Sequence, residues 1–179
     1  MLHTQVRQLE ELLQAHAPAL GADFTAYRNH CYRVLNLAAS LLATDDAETL
    51  EKLAIAVAFH DLGIWTDRTF DYLPPSEQRA QVWLAQAGLE RWSEEITLMI
   101  REHHKLRRYR TEPSVLVEAM RKADWADVSL GLLRFGLPRA YLRELSAAFP
   151  NAGFHRRLVQ LSLRRLLSHP WSPLPMLRF

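Results

Sequence analysis

Residues 56–63 read AVAFHDLG, an apolar run that closes on an adjacent histidine and aspartate. Leu53, Val57 and His60 recur at intervals of four and three residues, which places them on one face of an α-helix. We expect that face to be buried, so that an imidazole and the neighbouring Asp61 carboxylate enter the core together. A buried carboxylate is costly without a partner. The pair therefore indicates a cation, and the adjacent imidazole favours a metal ion.

Length and composition predict one globular domain. The chain has 179 residues, of which 49% are hydrophobic and 23% are charged, enough for a substantial core. The single Cys31 excludes an internal disulfide and fits a reducing compartment. No segment looks like a signal peptide or reaches about 18 uncharged apolar residues. We therefore expect a cytoplasmic protein without a membrane partner, and the net charge of +2 does not indicate nucleic acid.

Helical periodicity extends along most of the chain, and no segment alternates as a strand would. We predict an all-α, single-domain helical bundle over residues 1–179. Its motif-bearing core is about 23–130, and the C-terminal helices and Pro-rich tail, 138–179, pack on it. The predicted helices cover residues 4–17, 24–42, 46–61, 76–87, 93–103, 114–128, 139–148 and 154–168.

Several boundary residues follow from capping and turn chemistry. Asp23 is predicted to cap the long helix, and residues 44–45 to cap the next one. Gly63 is predicted to end the helix that carries the adjacent pair His60 and Asp61, which we call the doublet. We expect Pro18 to break the first helix, and residues 64–75 to form a loop with at most one helical turn.

Four side chains are predicted to face inward from three helices: His30, His60, Asp61 and Asp124. A single inward histidine is usually a hydrogen-bonded core residue, whereas carboxylates are seldom buried unpaired. Hydrogen-bonded His–Asp pairs are the alternative to a metal site. Two imidazoles and two carboxylates in one small core favour the metal.

This pattern resembles the HD-domain superfamily of metal-dependent phosphohydrolases. The segment AFHDLG at 58–63 is similar to the family's doublet, and YRNHCYRVLNLA at 27–38 is similar to its first-histidine helix. The segment ADWAD at 123–127 is similar to its final aspartate. The resemblance covers roughly residues 23–130.

The resemblance implies that His30, His60, Asp61 and Asp124 bind one divalent ion, which could be Mn, Fe, Co, Ni, Zn or Mg. It implies hydrolysis of a small phosphorylated metabolite, for which a nucleotide is our expectation, by attack of a metal-bound water on phosphorus. Asp61 would orient that water.

His103 shares a helix face with Ile100, so we expect it to face the cleft, either as a catalytic general acid or as a substrate contact. His104 is turned about 100° away by helical geometry and is predicted to contact substrate. A second-metal role for His103 is the alternative, although residues 62–102 lack the further histidine that two-metal relatives use. A capping histidine without function is another alternative.

Three cations are predicted to bind substrate phosphate: Arg33, one turn after His30, and Lys105 and Arg108 in the basic run 105–110. The alternative for that run is a solvated loop.

The region 145–179 contains no acidic residue. Its arginines indicate either a basic binding surface or a solvated helix face, and the region could serve a homo-oligomer interface.

Two other functions remain open at this point. One is a non-catalytic metal-binding regulatory or interaction module. The other is an HD-type oxygenase with two irons.

Overall fold

The computed structural model describes residues 2–113, 115–172 and 174–177 as helices joined by turns, with no strand in those ranges. This confirms the predicted all-α class. The α-helices in chain order are α1 (Arg7–Ala15), α2 (Ala17–Leu20), α3 (Phe24–Leu42), α4 (Ala47–Phe59), α5 (Gly63–Thr66), α6 (Leu73–Gln86), α7 (Ser93–Glu102), α8 (Val115–Val128), α9 (Arg139–Ala148) and α10 (Phe154–Ser168).

The centre of the bundle is α3, which is buried along most of its length. It packs most extensively against α8 and also contacts α4. Helices α6 and α7 pack on each other, and α7 contacts both α4 and α8. The carboxyl end of α4 and the middle of α3 and α8 therefore meet in the interior. Among the described residues, none of the helices combines the length and the hydropathy that a membrane-spanning segment needs.

The predicted bounds of α3, α9 and α10 agree with the structure. Helix α1 begins later than predicted, at Arg7. The residues before it are held instead by the Asn36 side chain, which accepts from the His3 amide at 2.7 Å and donates to the His3 carbonyl at 3.0 Å. Pro18 does not break a helix but lies in the first turn of α2, where a proline fits because no amide is needed.

Two of the predicted caps differ in the structure. Asp23 stands at the N-cap position of α3 but makes no cap bond. Its carboxylate accepts a hydrogen bond from the Trp65 indole at 2.9 Å instead. The cap of α4 is Asp46, which accepts from the Thr49 amide at 2.9 Å, and not a residue at 44–45.

Gly63 does not end a helix, because α4 already ends at Phe59 and Gly63 opens α5. Its role is to admit a neighbouring backbone: a Cβ there would lie 2.7 Å from the Tyr72 carbonyl oxygen. The Gly63 amide also donates to Ser76 Oγ at 3.0 Å. The segment after the doublet thus folds back tightly over it, and α6 begins at Leu73, three residues earlier than predicted.

The tail after α10 is partly packed. Met176 is buried, and with Pro175 it lines a cavity of about 260 Å³ beside Phe70 and Tyr72. Trp171, by contrast, is 98% exposed.

Candidate metal centre

The structure brings the four predicted ligands together in the interior. His30 comes from α3, Asp124 from α8, and His60 and Asp61 from the turn that follows α4. All four side chains are buried. The Nε2 atoms of His30 and His60 are 2.9 Å apart.

The carboxylates approach the same two nitrogens. Asp61 Oδ2 lies 3.4 Å from His60 Nε2 and 3.7 Å from His30 Nε2. Asp124 Oδ1 lies 3.6 Å from His30 Nε2 and 3.8 Å from His60 Nε2. Two ligand atoms that each lie about 2.1 Å from one ion are at most about 4.2 Å apart. Every one of these separations therefore suits a shared ion.

Hydrogen bonds at the outer nitrogens set the tautomers of three histidines. The Nδ1 atoms of His60 and His103 each contact the backbone carbonyl three residues earlier, at 2.8 and 2.6 Å. A carbonyl only accepts, so each Nδ1 carries the proton. His30 Nδ1 contacts the Asp127 carboxylate at 2.7 Å, which places its proton in the same way. All three Nε2 lone pairs consequently point into the cluster, as metal ligation requires.

Unsatisfied atoms test whether these residues fit a metal. Asp61 Oδ1, both oxygens of Asp124, and His103 Nε2 are buried without a hydrogen-bond partner among the described residues. Such atoms are costly in a protein interior. The donor set of imidazole nitrogens and carboxylate oxygens suits a divalent transition metal. The residues present fit the ion.

His103 and His104 both join the cluster. His103 Nε2 lies 3.4 Å from Asp61 Oδ1, and His104 Nδ1 lies 3.2 Å from Asp124 Oδ2. The expectation that His104 is rotated away was wrong, because α7 ends at Glu102 and the 100° step of a helix no longer applies.

The potential ligand atoms form three overlapping groups, and within each group they lie within 4.8 Å of one another. The groups are His30, His60 and Asp124; His60, Asp61 and His103; and His103, His104 and Asp124. The six side chains therefore form one continuous set, although residues 62–102 contain no histidine.

The protonation states also suit metal binding. Burial lowers the pKa of His60, despite the opposing charges of Asp61 and Asp124, so its imidazole stays neutral. Burial raises the pKa of Asp61, but its interactions with the His60 and His103 imidazoles outweigh burial and the net shift is downward. The pKa of Asp124 is likewise lowered, because His104 outweighs burial. Both carboxylates are therefore ionised.

A buried ion pair behind His30 was not anticipated. Asp127 Oδ1 accepts from Arg33 Nε at 2.5 Å, and Asp127 Oδ2 accepts from Arg33 Nη2 at 2.9 Å. Arg33 also donates to the Phe149 carbonyl at 3.0 Å. Burial opposes ionisation of Asp127, but His30 and Arg33 outweigh it and lower its pKa. In this structure the Arg33 guanidinium, predicted to contact substrate, orients Asp127.

A signal for Asp127 was present in the sequence, because it follows Asp124 by three residues and so shares its helix face. No comparable signal marks Phe154, whose ring stacks on His30 with centroids 4.0 Å apart. Nor does one mark Tyr72, whose hydroxyl lies 2.6 Å from His104 Nε2. Both rings close the cluster from segments distant in sequence.

The basic run beyond His104 lies at the surface end of the site. Lys105 Nζ is 3.2 Å from a Glu102 carboxylate oxygen. The Lys105 backbone carbonyl accepts hydrogen bonds from Arg121 and from the Trp125 indole, at 3.1 and 3.2 Å. Arg108 is exposed.

The model of the HD domain family matches residues 27–128 of this chain. The chain belongs to the HD domain family. No curated protein and no solved structure matches it. All six residues of the cluster lie within the part of this HD domain that the family model covers, whereas α9 and α10 lie beyond it.

Proposed function

We propose that this HD domain is a metal-dependent phosphohydrolase whose substrate is a small phosphorylated compound, with a nucleotide as the substrate class. The observation that carries the proposal is the convergence of His30, His60, Asp61 and Asp124 with several buried atoms left unsatisfied. Membership of the HD family supports metal-dependent hydrolysis as the reaction type.

We assign the ion to His30, His60, Asp61 and Asp124. When bound, a divalent ion polarises a phosphoryl oxygen and lowers the pKa of water at its open positions. The four side chains are deeply buried, so bulk water is excluded around them. The lower local dielectric strengthens the electrostatic interactions of these side chains with the ion and the substrate.

Asp61 and His103 are the proposed catalytic groups. Asp61 Oδ2 faces the histidines, whereas its Oδ1 has no hydrogen-bond partner among the described residues and is available to orient the attacking water. His103 Nε2 lies 3.4 Å from that oxygen. The proton of His103 Nδ1 is engaged in a hydrogen bond to a backbone carbonyl. Nε2 is therefore the atom that accepts a proton and passes it to the leaving oxygen.

His104 is the proposed phosphate contact. Burial alone would lower its pKa, but the Asp124 carboxylate outweighs burial and raises it, so the cationic imidazolium is favoured. Its side chain is 13% exposed, more than those of its cluster neighbours, and so marks the outer side of the site. Lys105 follows it directly and Arg108 lies four residues after it, and both are proposed to bind further phosphate oxygens. For Arg33 we propose a positioning role through Asp127.

Metal analysis of the purified protein is the first test. We expect bound metal in the wild type, and loss of both metal and turnover in His60→Ala and Asp61→Ala. Asp45→Ala is the matched control, because that carboxylate is 89% exposed, and it should retain both.

A panel of nucleotides and simple phosphate esters, with manganese, cobalt, nickel and magnesium supplied in turn, then tests the reaction. One ion per chain supports the ligand set above, and two would add His103 and His104 to it. Bound metal with no product under any condition would contradict the hydrolase and favour a regulatory module. Two tightly bound irons with oxygen consumption would favour an oxygenase.

A further inference from the structure

A cavity separate from the metal centre lies between the segment after the doublet and α10. Its volume is about 510 Å³, within the range of small-molecule sites. Its lining includes four arginines and two aromatic rings: Arg68, Arg157, Arg164, Arg165, Trp65 and Phe70. None of the six residues of the metal centre lines it.

The cavity carries an excess of positive charge. Its lining contains no acidic residue. Two of the arginines are paired with acids outside the lining, Arg157 with Asp23 at 3.0 Å and Arg165 with Asp71 at 2.9 Å. Arg68 and Arg164 are exposed and form no ion pair within the described residues. Like charges gathered from separate segments repel one another, and a bound anion would compensate them.

The aromatic wall is held in place independently of any ligand. The Trp65 indole donates to Asp23 at 2.9 Å, and its ring lies 4.7 Å from the Tyr27 ring. Tyr27 in turn stacks near the metal-centre residue His60, with centroids 6.0 Å apart. A fixed aromatic ring and unpaired guanidinium groups in one cavity suit a ligand that has an anionic end and a flat or apolar end.

We infer that this cavity binds a small organic phosphate that carries two or more negative charges. Its phosphate contacts Arg68 and Arg164, and its apolar part lies against Trp65 and Phe70. The inference does not depend on the hydrolase proposal, because it uses none of the metal-centre residues. The ligand is either the non-reacting part of a substrate or a separate effector. Both would present a phosphate to the arginines and an apolar part to the aromatic rings.

Titration of metal-free protein with inorganic pyrophosphate tests the site by calorimetry at low salt. We expect saturable binding at micromolar to millimolar concentration. Arg164→Glu and Arg68→Glu should each weaken it by about tenfold or more, because each reverses a charge-assisted contact. Arg143→Glu is the matched control, an exposed arginine on α9 outside the cavity, and it should change the Kd by less than about twofold.

His60→Ala separates this cavity from the metal centre. It should leave pyrophosphate binding intact, even if it abolishes metal binding and turnover. The inference is overturned if wild-type protein shows no binding at millimolar pyrophosphate, or if Arg143→Glu weakens binding as much as Arg164→Glu. Loss of binding in His60→Ala with retention in Arg164→Glu would also overturn it, because the anion would then lie at the metal centre.

Kinetics with an active substrate distinguish the two sources of the ligand. If the cavity holds the far end of the substrate, Arg164→Glu raises KM and leaves kcat nearly unchanged. If it holds an effector, Arg164→Glu leaves KM unchanged and removes the response of the rate to added pyrophosphate.

Discussion

Asp127→Asn should weaken the proposed metal binding, although the Asp127 carboxylate lies on the outer side of His30, away from the cluster. Its carboxylate holds the outer nitrogen of His30 at 2.7 Å and so directs the inner nitrogen of that ring into the cluster. Loss of a carboxylate that holds a metal-binding imidazole in place costs about 10- to 100-fold in metal affinity, which is roughly 1.4–2.7 kcal/mol. The same change removes the only countercharge that directly contacts the buried Arg33 guanidinium within the described residues.

The effect on folding should be separate and larger. Breaking a buried ion pair by removing one partner costs about 3–5 kcal/mol. For a chain of this length about 2–4 °C of Tm is lost per kcal/mol, so Tm should fall by roughly 6–20 °C. Adding Arg33→Met removes the uncompensated charge. The double variant should therefore regain stability relative to Asp127→Asn but keep the weak metal affinity.

Competition against a chromophoric chelator measures the affinity, and thermal unfolding of the metal-free protein measures the stability. Asp45→Asn is the control, since its carboxylate is 89% exposed. An Asp127→Asn affinity within about twofold of the control would refute the argument that this carboxylate orients His30. Recovery of affinity in the double variant would show that the defect came only from the buried charge.

Two further predictions concern stability. Gly63→Ala should destabilise the protein by about 1–3 kcal/mol in urea unfolding, because the added Cβ would lie 2.7 Å from the Tyr72 carbonyl oxygen. Glycine to alanine within a helix ordinarily stabilises by up to about 1 kcal/mol, so a gain in stability would contradict the close approach. Burial raises the pKa of Glu118, but two hydrogen bonds from Arg121, both at 2.8 Å, and one from the Tyr109 amide at 3.0 Å outweigh burial and lower it. The stability that it contributes is present above the ordinary carboxyl pKa of about 4.3 and is lost as the pH falls through the lowered value. Wild type should therefore lose more stability than Glu118→Gln between pH 7 and about pH 3, whereas parallel curves for the two proteins would exclude the ion pair as the cause.

The helices and the inward positions of the histidines and aspartates could be predicted because both depend on local pattern. The long helix at 24–42 and the two C-terminal helices follow from apolar periodicity, and the structure has them at the predicted bounds. The clustering of His30, His60, Asp61 and Asp124 could be anticipated because three of them continue apolar helix faces, the fourth adjoins His60, and such faces meet in the core of a bundle. The loop after the doublet was less predictable, since its path depends on the contact between Gly63 and the Tyr72 backbone.

The sequence by itself determined the all-α class and the histidine and carboxylate composition of the centre. Both follow from helical periodicity, which shows within each segment which side chains face inward. Only the tertiary structure decided which groups support the centre. The ion pair of Arg33 with Asp127 joins residues 94 positions apart. The orientation of His104 depends on where α7 ends, and the basic cavity depends on α10 lying beside Arg68. Contacts between distant segments leave no periodic trace along the chain, and so they become visible only when the chain is folded.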